Sequence, residues 1–376
     1  MKRIVYLMEY PIDLPGGVQM STLSVCEGLV NHPEYGYEPV VICPALLDHL
    51  PGDYPFTIRE YPMGESRAKN LLMRIKAFRR FIREEKPDLI HIQMAESLIT
   101  YGFIRKCFSG IPYIYTDRGL FFGYRKRSRL FMDPPLRDSA MLVTTTEFNR
   151  KLWYEGSDIR PVCSIPNTIS GRYFGEYDPE KRREHARCVI GLAGRICVEK
   201  DWPFACDFIE ALAASGLDFE VEIVLSTFEK GDDEQVDIIL KRLISSLGED
   251  RVHSHLNYSQ QEMSDFYYGV DIFLMTSRFE SFGKAAVEAM SRKCAVVSTS
   301  VGGLPEVIGL EENLYSKDNI SNGINCVRKL AGDREKLEKQ REYFYRRYLD
   351  NYTEDKYIER HVKLYDEYAG KRKRHL

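Results

Sequence analysis

Short runs of consecutive apolar residues alternate along this chain with longer segments whose apolar positions recur at helical spacing. Ile4-Val-Tyr-Leu-Met8, Pro39-Val-Val-Ile-Cys43, Asp88-Leu-Ile-His-Ile92, Pro112-Tyr-Ile-Tyr-Thr116, Met141-Leu-Val-Thr-Thr145 and Val162-Cys-Ser-Ile165 predict buried strands, with Phe56-Thr-Ile-Arg-Glu60 a shorter one. Residues 19–30, 68–85, 97–107 and 147–155 predict helices between them; in 68–85, Leu71, Leu72, Ile75, Phe78, Phe81 and Ile82 share a face and Pro87 ends the run. Strands alternating with helices imply right-handed βαβ units and a parallel sheet covered on both faces. In such sheets ligands bind beyond the carboxyl ends of the strands.

The alternation breaks at Ile165-Pro-Asn-Thr-Ile-Ser-Gly171 and the polar run 176–184, then resumes. Strands are predicted at Arg187-Cys-Val-Ile-Gly-Leu-Ala193, Phe219-Glu-Val-Glu-Ile-Val-Leu225, Arg251-Val-His-Ser-His255, Val270-Asp-Ile-Phe-Leu-Met275 and Ala295-Val-Val-Ser298. Helices are expected from Asp201 through about Ala214, at 235–247 and 260–268, from Lys284, and at 336–348 and 353–368 near the end. The chain thus reads as two α/β halves in series, with a ligand expected in the cleft between them. A length of 376 residues fits two cores better than one.

Composition changes this picture little. A net charge of −3 gives no argument for nucleic acid as a partner. The nine cysteines are odd in number, scattered, and form no C-x-x-C pair, so they read as buried thiols of a reducing compartment. Met1-Lys-Arg-Ile-Val-Tyr-Leu-Met8 runs directly into a strand and has neither signal-peptide nor membrane-span length, which gives a cytoplasmic expectation.

Candidate chemistry gathers at strand ends. After the predicted strand 270–275 comes Thr276-Ser-Arg-Phe-Glu280-Ser-Phe-Gly283, then a helix opening Lys284-Ala-Ala-Val-Glu288. A glycine-bearing turn at a helix N-terminus presents backbone N–H groups to an anion, here from Ser281, Phe282 and Gly283. Gly194-Arg195 with Lys200 adds a planar guanidinium and a point charge separated by a turn, a pair suited to two phosphates. Gly302-Gly303 before Pro305-Glu306 offers a third close-approach loop. Glu280, beside a diphosphate, makes sense as an acceptor of hydrogen bonds from sugar hydroxyls; Glu288 suits ribose hydroxyls, its plain alternative being a helix-surface carboxylate. In the first half, Gly16-Gly17 lies at the first βα turn without forming the G-x-G-x-x-G fingerprint. Asp117-Arg118 follows the strand ending at Thr116. Residues 123–129 concentrate four positive charges among aromatics, in a loop suited to an anionic acceptor or a membrane surface, or simply solvated.

Taken together, these residues resemble a retaining glycosyltransferase of family 4 with the GT-B fold. The strongest match is Ser277-Arg-Phe-Glu280-Ser-Phe-Gly283 through Glu288-Ala-Met290, an E-x7-E motif; the segment Ala295-Val-Val-Ser-Thr-Ser-Val-Gly-Gly-Leu-Pro-Glu-Val-Ile308 is similarly specific. Gly194-Arg195 with Lys200 resembles the family's diphosphate-binding pair, and Pro15-Gly-Gly-Val18 its N-terminal glycine loop. The resemblance implies two Rossmann-like parallel-sheet domains facing a cleft: residues 1–168 binding the acceptor, residues 169–352 binding a UDP- or GDP-sugar, and a C-terminal helix, about 353–370, crossing back to the first. It implies transfer with retention, without a metal or other cofactor, to a hydroxyl acceptor in cell-surface polysaccharide, glycolipid or glycoconjugate assembly. It assigns catalysis to Glu280, Arg195 and Lys200, donor contacts to Gly17, Phe282, Gly283 and Glu288, and the acceptor or sugar-orienting place to Asp117 and Arg118. The family's usual histidine is absent there, and its Asn-Gly before the hinge is here Asn167-Thr168. The alternatives are another enzyme on this architecture, such as a nucleotide-sugar epimerase, and a non-catalytic nucleotide-sugar-binding protein. The basic loop 123–129 and the tail Gly370-Lys-Arg-Lys-Arg-His-Leu376 suggest peripheral contact with the inner membrane face.

Overall fold

The computed structural model describes residues 1–14, 16–47 and 54–371; Pro15 of the glycine loop and the end of the basic tail, 372–376, lie outside them. The chain divides into two compact units, Met1–Ser170 with Glu354–Leu376, and Gly171–Thr353.

The first unit runs β1 (Lys2–Leu7), α1 (Gly17–Asn31), β2 (Tyr37–Pro44), β3 (Thr57–Tyr61), α2 (Arg67–Glu85), β4 (Leu89–Ile92), α3 (Ala95–Ile104), β5 (Tyr113–Asp117), α4 (Lys126–Arg137), β6 (Met141–Thr144), α5 (Glu147–Gly156) and β7 (Val162–Ser164). Its seven strands lie in the order β3-β2-β1-β4-β5-β6-β7, all paired parallel, with Ile4 opposite Leu89 where β1 meets β4. The second unit runs β8 (Cys188–Arg195), α6 (Trp202–Ala214), β9 (Phe219–Ser226), α7 (Asp232–Leu247), β10 (Val252–Leu256), α8 (Gln260–Tyr267), β11 (Ile272–Met275), α9 (Lys284–Ser291), β12 (Ala295–Thr299), α10 (Leu304–Ile308), β13 (Leu314–Tyr315), α11 (Ile320–Ala331) and α12 (Arg334–Asn351). Its six parallel strands lie in the order β10-β9-β8-β11-β12-β13. The last helix, α13 (Glu354–Tyr368), belongs to the first unit.

The central strands are apolar on both faces because helices cover both: β4, β6, β11 and β12 are buried along their whole length. Large side chains fill the layers, with Trp153, Tyr101, Tyr115 and Phe78 in the first unit and Phe208, Phe219, Phe273 and Tyr267 in the second all essentially inaccessible. Each contributes on the order of 2 kcal/mol of transfer free energy. Helix α13 completes the first core. Tyr365 is fully buried, its hydroxyl 2.8 Å from that of Tyr6 and 2.9 Å from His91 Nδ1, while Tyr37 donates to Asp366 at 2.6 Å.

In both sheets the strand order reverses once, between β1 and β4 and between β8 and β11. Loops on the two sides of such a point diverge and leave room at the carboxyl ends of the strands. The glycine turn before α1 lies at the first switch point. Gly194-Arg195-Lys200 and the Glu280 turn lie at the second.

Two expectations need correction. The basic segment 123–129 is not a loop throughout: α4 begins at Lys126 and continues through Pro134 and Pro135. The two prolines leave the carbonyls of Leu130 and Phe131 without helical donors, and the helix tolerates this on an exposed face, these residues being 70% and 52% exposed. The cysteines are free thiols, as read, yet not all inside: Cys107 is exposed. Burial pushes the Cys43 and Cys294 thiols up to about 12, which keeps them protonated and inert.

Candidate active site

In the second unit β8 ends at Arg195, whose side chain is exposed and whose carbonyl accepts from Trp202 Nε1 at 2.8 Å. The chain turns back over the strand end, so the aliphatic stem of Lys200 crosses Gly194; a Cβ there would lie 3.1 Å from Lys200 Cδ and Cε. Lys200 then reaches β11's loop, where its Nζ donates to Glu280 Oε1 at 2.5 Å. The pair is mostly buried, at 21% and 16% side-chain exposure, which strengthens it relative to a surface ion pair.

The backbone around Glu280 is held equally firmly. Its carbonyl accepts from Gly303 N–H at 3.0 Å. Gly302, at φ +55°, presses so closely that a Cβ would sit 1.9 Å from that same oxygen. The double glycine expected to approach a phosphate is thus occupied in clamping the glutamate turn. Thr299 Oγ1 donates to the Ser277 carbonyl at 2.9 Å, and Tyr315 donates to that of Met275 at 3.0 Å, fixing the exit of β11. Gly283 caps α9 in the left-handed region, at φ +92°, against Leu304 Cδ2. Phe282 faces inward, its ring meeting Tyr352 edge-on at 5.7 Å, so only its backbone is available to a ligand.

Glu288 lies along α9 and is buried, not on a helix surface. Tyr267 donates to its Oε2 at 3.1 Å. Burial raises the pKa of this carboxyl, with Lys284, Tyr267 and Lys200 opposing. Reading the sequence missed Tyr267, and it missed Asp201. Asp201 sits at φ +52° and binds Arg278 at 3.2 Å and also Lys317. Burial disfavours its charge, but Lys317 and Arg278 outweigh burial and hold the carboxyl below its usual range. Its position after Lys200 was visible in the sequence; its partners, 77 and 116 positions away, were not.

In the first unit Arg118 leaves the end of β5 and bridges three elements. Nη2 donates to Gln93 Oε1 at 2.8 Å and to the Tyr357 hydroxyl at 3.1 Å, and Nη1 to Asn167 Oδ1 at 3.2 Å. Asn167 Oδ1 lies 2.6 Å from Ser21 Oγ, which is 2.7 Å from the Gly17 carbonyl, so Gly17 and Arg118 belong to one network at the β1/β4 switch point. Asp117, expected beside Arg118 to face an acceptor, is instead fully buried. Its oxygens accept from Trp153 Nε1 (2.6 Å), Asn149 Nδ2 (3.0 Å), Tyr124 Oη (2.5 Å) and Gly119 N–H (3.0 Å). Four donors saturate a carboxylate, so Asp117 anchors the loop over α5.

Among the described residues no group of three or more His, Cys, Asp or Glu is placed to hold a metal ion, and no helix is long and apolar enough to cross a membrane.

Solved structures share this architecture throughout. Sucrose-phosphate synthase from Thermosynechococcus elongatus superposes with a TM-score of 0.82 at 14% identity, covering 98% of this chain and 99% of that one. Anabaena Alr3699/HepE in complex with UDP superposes with a TM-score of 0.78 at 15% identity, covering 98% of this chain and 100% of that one. Two parallel-sheet Rossmann-like units matching such proteins end to end define the GT-B fold of glycosyltransferases. In sequence, the Glycosyltransferase Family 4 description matches residues 15–170, and Glycosyl transferases group 1 matches residues 230–347. The chain belongs to glycosyltransferase family 4. A curated relative, the phosphatidylinositol N-acetylglucosaminyltransferase GPI3 subunit of Saccharomyces cerevisiae, is 24% identical over 279 residues, 68% of this chain but only 59% of the relative's length.

Proposed function

We propose that this chain is a retaining glycosyltransferase that moves a hexosyl group from a nucleoside diphosphate sugar to a hydroxyl acceptor in polysaccharide, glycolipid or glycoconjugate assembly. The observation that carries the reading is the convergence of Arg195, Lys200, Glu280 and the Ser281–Gly283 turn at one topological switch point. Residues 169–352 would bind the donor; residues 1–168, with the helix at about 353–370, would bind the acceptor. UDP and GDP are the nucleotides proposed, and the Anabaena protein's complex with UDP supports trying UDP first.

Breaking the anomeric C–O bond places charge on the departing diphosphate. Arg195, Lys200 and the Phe282 and Gly283 N–H groups at the head of α9 stabilise that charge, and no metal is assigned to the role. Lys200 has to exchange Glu280 for a phosphate as donor binds, which releases the Glu280 carboxylate to sugar hydroxyls at the moment they arrive. Glu288 has one oxygen fixed by Tyr267 and takes the ribose hydroxyls with the other. Gly17 contributes its backbone to the donor, and Arg118 orients sugar or acceptor. Attack comes from the face the diphosphate leaves, and a phosphate oxygen accepts the acceptor's proton. Contact of residues 123–129 with a membrane surface would make the protein peripheral at the inner face.

Thermal-shift measurements against UDP-, GDP-, ADP- and dTDP-sugars test the reading. Stabilisation by one nucleotide class identifies the donor; no stabilisation by any of them overturns the proposal.

A further inference from the structure

Beyond the carboxyl ends of β1 to β4 the first unit holds a cavity of about 260 Å³ that no member of the Arg118 network lines. Glu9 and Tyr10 reach it from the end of β1, Met63 from the end of β3, and Glu96 from the start of α3. Helix α2 closes the other side with Arg67, Asn70 and Arg74, which share one face at i, i+3 and i+7. Strand ends of a parallel sheet are where such folds bind ligands. The volume falls just under the roughly 300–1,000 Å³ of drug-sized sites and leaves room for one hexose-sized ring.

The lining is polar and its charges oppose one another. Glu96 accepts from Arg74 Nη2 at 2.8 Å and from Arg67 Nη2 at 3.0 Å, and Glu65 at the rim is held by Lys69 at 2.9 Å. Glu9 supplies a second carboxyl beside the two guanidiniums, so little net charge is left for a phosphate or an amine. Hydrogen-bonding capacity, in contrast, is left over. The Arg74 side chain is only 7% exposed, and its Nε is buried with no partner, a deficit that an acceptor atom in the cavity removes. Glu9 takes the Ser97 N–H at 3.0 Å, one of about four donors a carboxylate can accept. Burial raises its carboxyl to about 7, a perturbation typical of groups placed for a ligand. Asn70 accepts from the Gly64 N–H through Oδ1, which leaves its Nδ2 to donate. Tyr10, 43% exposed, adds an aromatic face.

We infer that this cavity binds one uncharged sugar ring of the acceptor, which makes the acceptor a glycan. A hydroxyl both donates and accepts, so adjacent hydroxyls of one ring satisfy Glu9, Arg74 Nε and Asn70 Nδ2 together, while Tyr10 covers the ring's C–H face. A phosphate would meet Glu9 and Glu96 along with the guanidiniums, and an amine would meet the guanidiniums along with the carboxylates. Gln93, at the end of β4, holds Arg118, and Glu96, just beyond it, lines the cavity, so the bound ring is the neighbour of the unit that reacts. That the ring belongs to an acceptor rests on the proposed function; that the cavity takes a sugar stands on the first unit alone.

The test is saturation-transfer NMR on the full chain with the methyl glycosides of glucose, galactose, mannose, N-acetylglucosamine, fucose and rhamnose, with glucose 6-phosphate and glucosamine as charged controls. At least one uncharged glycoside is expected to bind. Glu9→Gln should weaken it about tenfold or more, the effect of losing a hydrogen bond to a carboxylate, and Asn70→Ala by roughly a few-fold, with circular dichroism spectra unchanged. Binding of none of the six, tighter binding of a charged control than of its uncharged counterpart, or wild-type binding in both variants overturns the inference. Thermal shifts with nucleotide sugars on the same samples separate it from the transferase reading. A shift without glycoside binding overturns the sugar cavity and spares the transferase; glycoside binding weakened in both variants without any shift supports the cavity and overturns the transferase.

Discussion

Lys200 Nζ lies 2.5 Å from Glu280 Oε1, so the two residues given opposite duties toward a donor are each other's partners in the protein. The pair spans 80 positions of sequence and ties the end of β8 to the end of β11 across the switch point. A phosphate that captures Lys200 therefore also changes what Glu280 can bind.

Glu280→Ala should lower kcat on the order of a hundredfold or more, the range for losing a contact made to a developing charge. Nucleotide affinity should stay nearly unchanged, because Lys200 is then released to the phosphates. Steady-state kinetics with calorimetric titration of the nucleoside diphosphate check both halves; near-normal transfer would sink the role of Glu280.

Arg195→Ala and Lys200→Ala together should weaken nucleoside diphosphate binding by about 3 kcal/mol, the scale of lost charge-assisted hydrogen bonds. Unchanged affinity in calorimetry would remove the diphosphate from this strand end.

Gly302→Ala and Gly283→Ala should separate backbone from side-chain obstruction. At 302 the new methyl meets the Glu280 carbonyl, and no neighbouring side chain can yield. At 283 it meets Leu304 Cδ2, the end of a side chain that can shift, so Gly283→Ala should lose less melting temperature than Gly302→Ala. Each alanine also occupies a positive φ, which costs about 1–2 kcal/mol in itself. Thermal melts of the two variants decide this, and a wild-type melting temperature for Gly302→Ala would refute the clamp.

Tyr267→Phe should raise the donor KM about tenfold or more, the effect of losing one hydrogen bond to a carboxylate, and leave kcat nearly unchanged. The hydroxyl removed touches Glu288 from the buried side. An equal fall in kcat would instead place Glu288 in the bond-breaking step.

Glu9 gives a pH dependence whose sign can be worked out. Burial raises its carboxyl from 4.5 to about 7, with Glu96 adding and the Ser97 N–H and Arg74 opposing. Its folded pKa lies above the unfolded one, so the fold suffers no penalty below about pH 4.5, loses stability as pH rises toward 7, and stays at the lower level above. The loss amounts to about 3 kcal/mol at most. Glu9→Gln should match the wild type in urea melts at pH 5 and exceed it at pH 8; identical pH profiles would contradict the burial argument.

Much of the fold was readable because parallel strands covered on both faces are written as unbroken apolar runs. The helix at 126–137 was hidden by Pro134-Pro135, which argue against a helix unless the orphaned carbonyls lie on an exposed face. Asp117 looked outward because strand ends usually are; the donors that pull it inward, Asn149 and Trp153, stand 32 and 36 positions away on α5. Gly302 and Gly303 were recognisable as close-approach residues. What they approach, a carbonyl 20 or so positions upstream, is a tertiary fact. The same holds for Tyr267, which becomes meaningful only once α8 is laid beside α9.

Helix α13 gives the chain an order of assembly. The second unit is one continuous stretch, Gly171–Thr353, whereas the first needs Glu354 and beyond to bury Tyr6 and His91 under Tyr365. During synthesis the first unit is thus begun first and finished last, holding an uncovered aromatic surface while the unit encoded after it folds. A ribosome pausing near residue 353 would display that surface to chaperones for as long as the pause lasts.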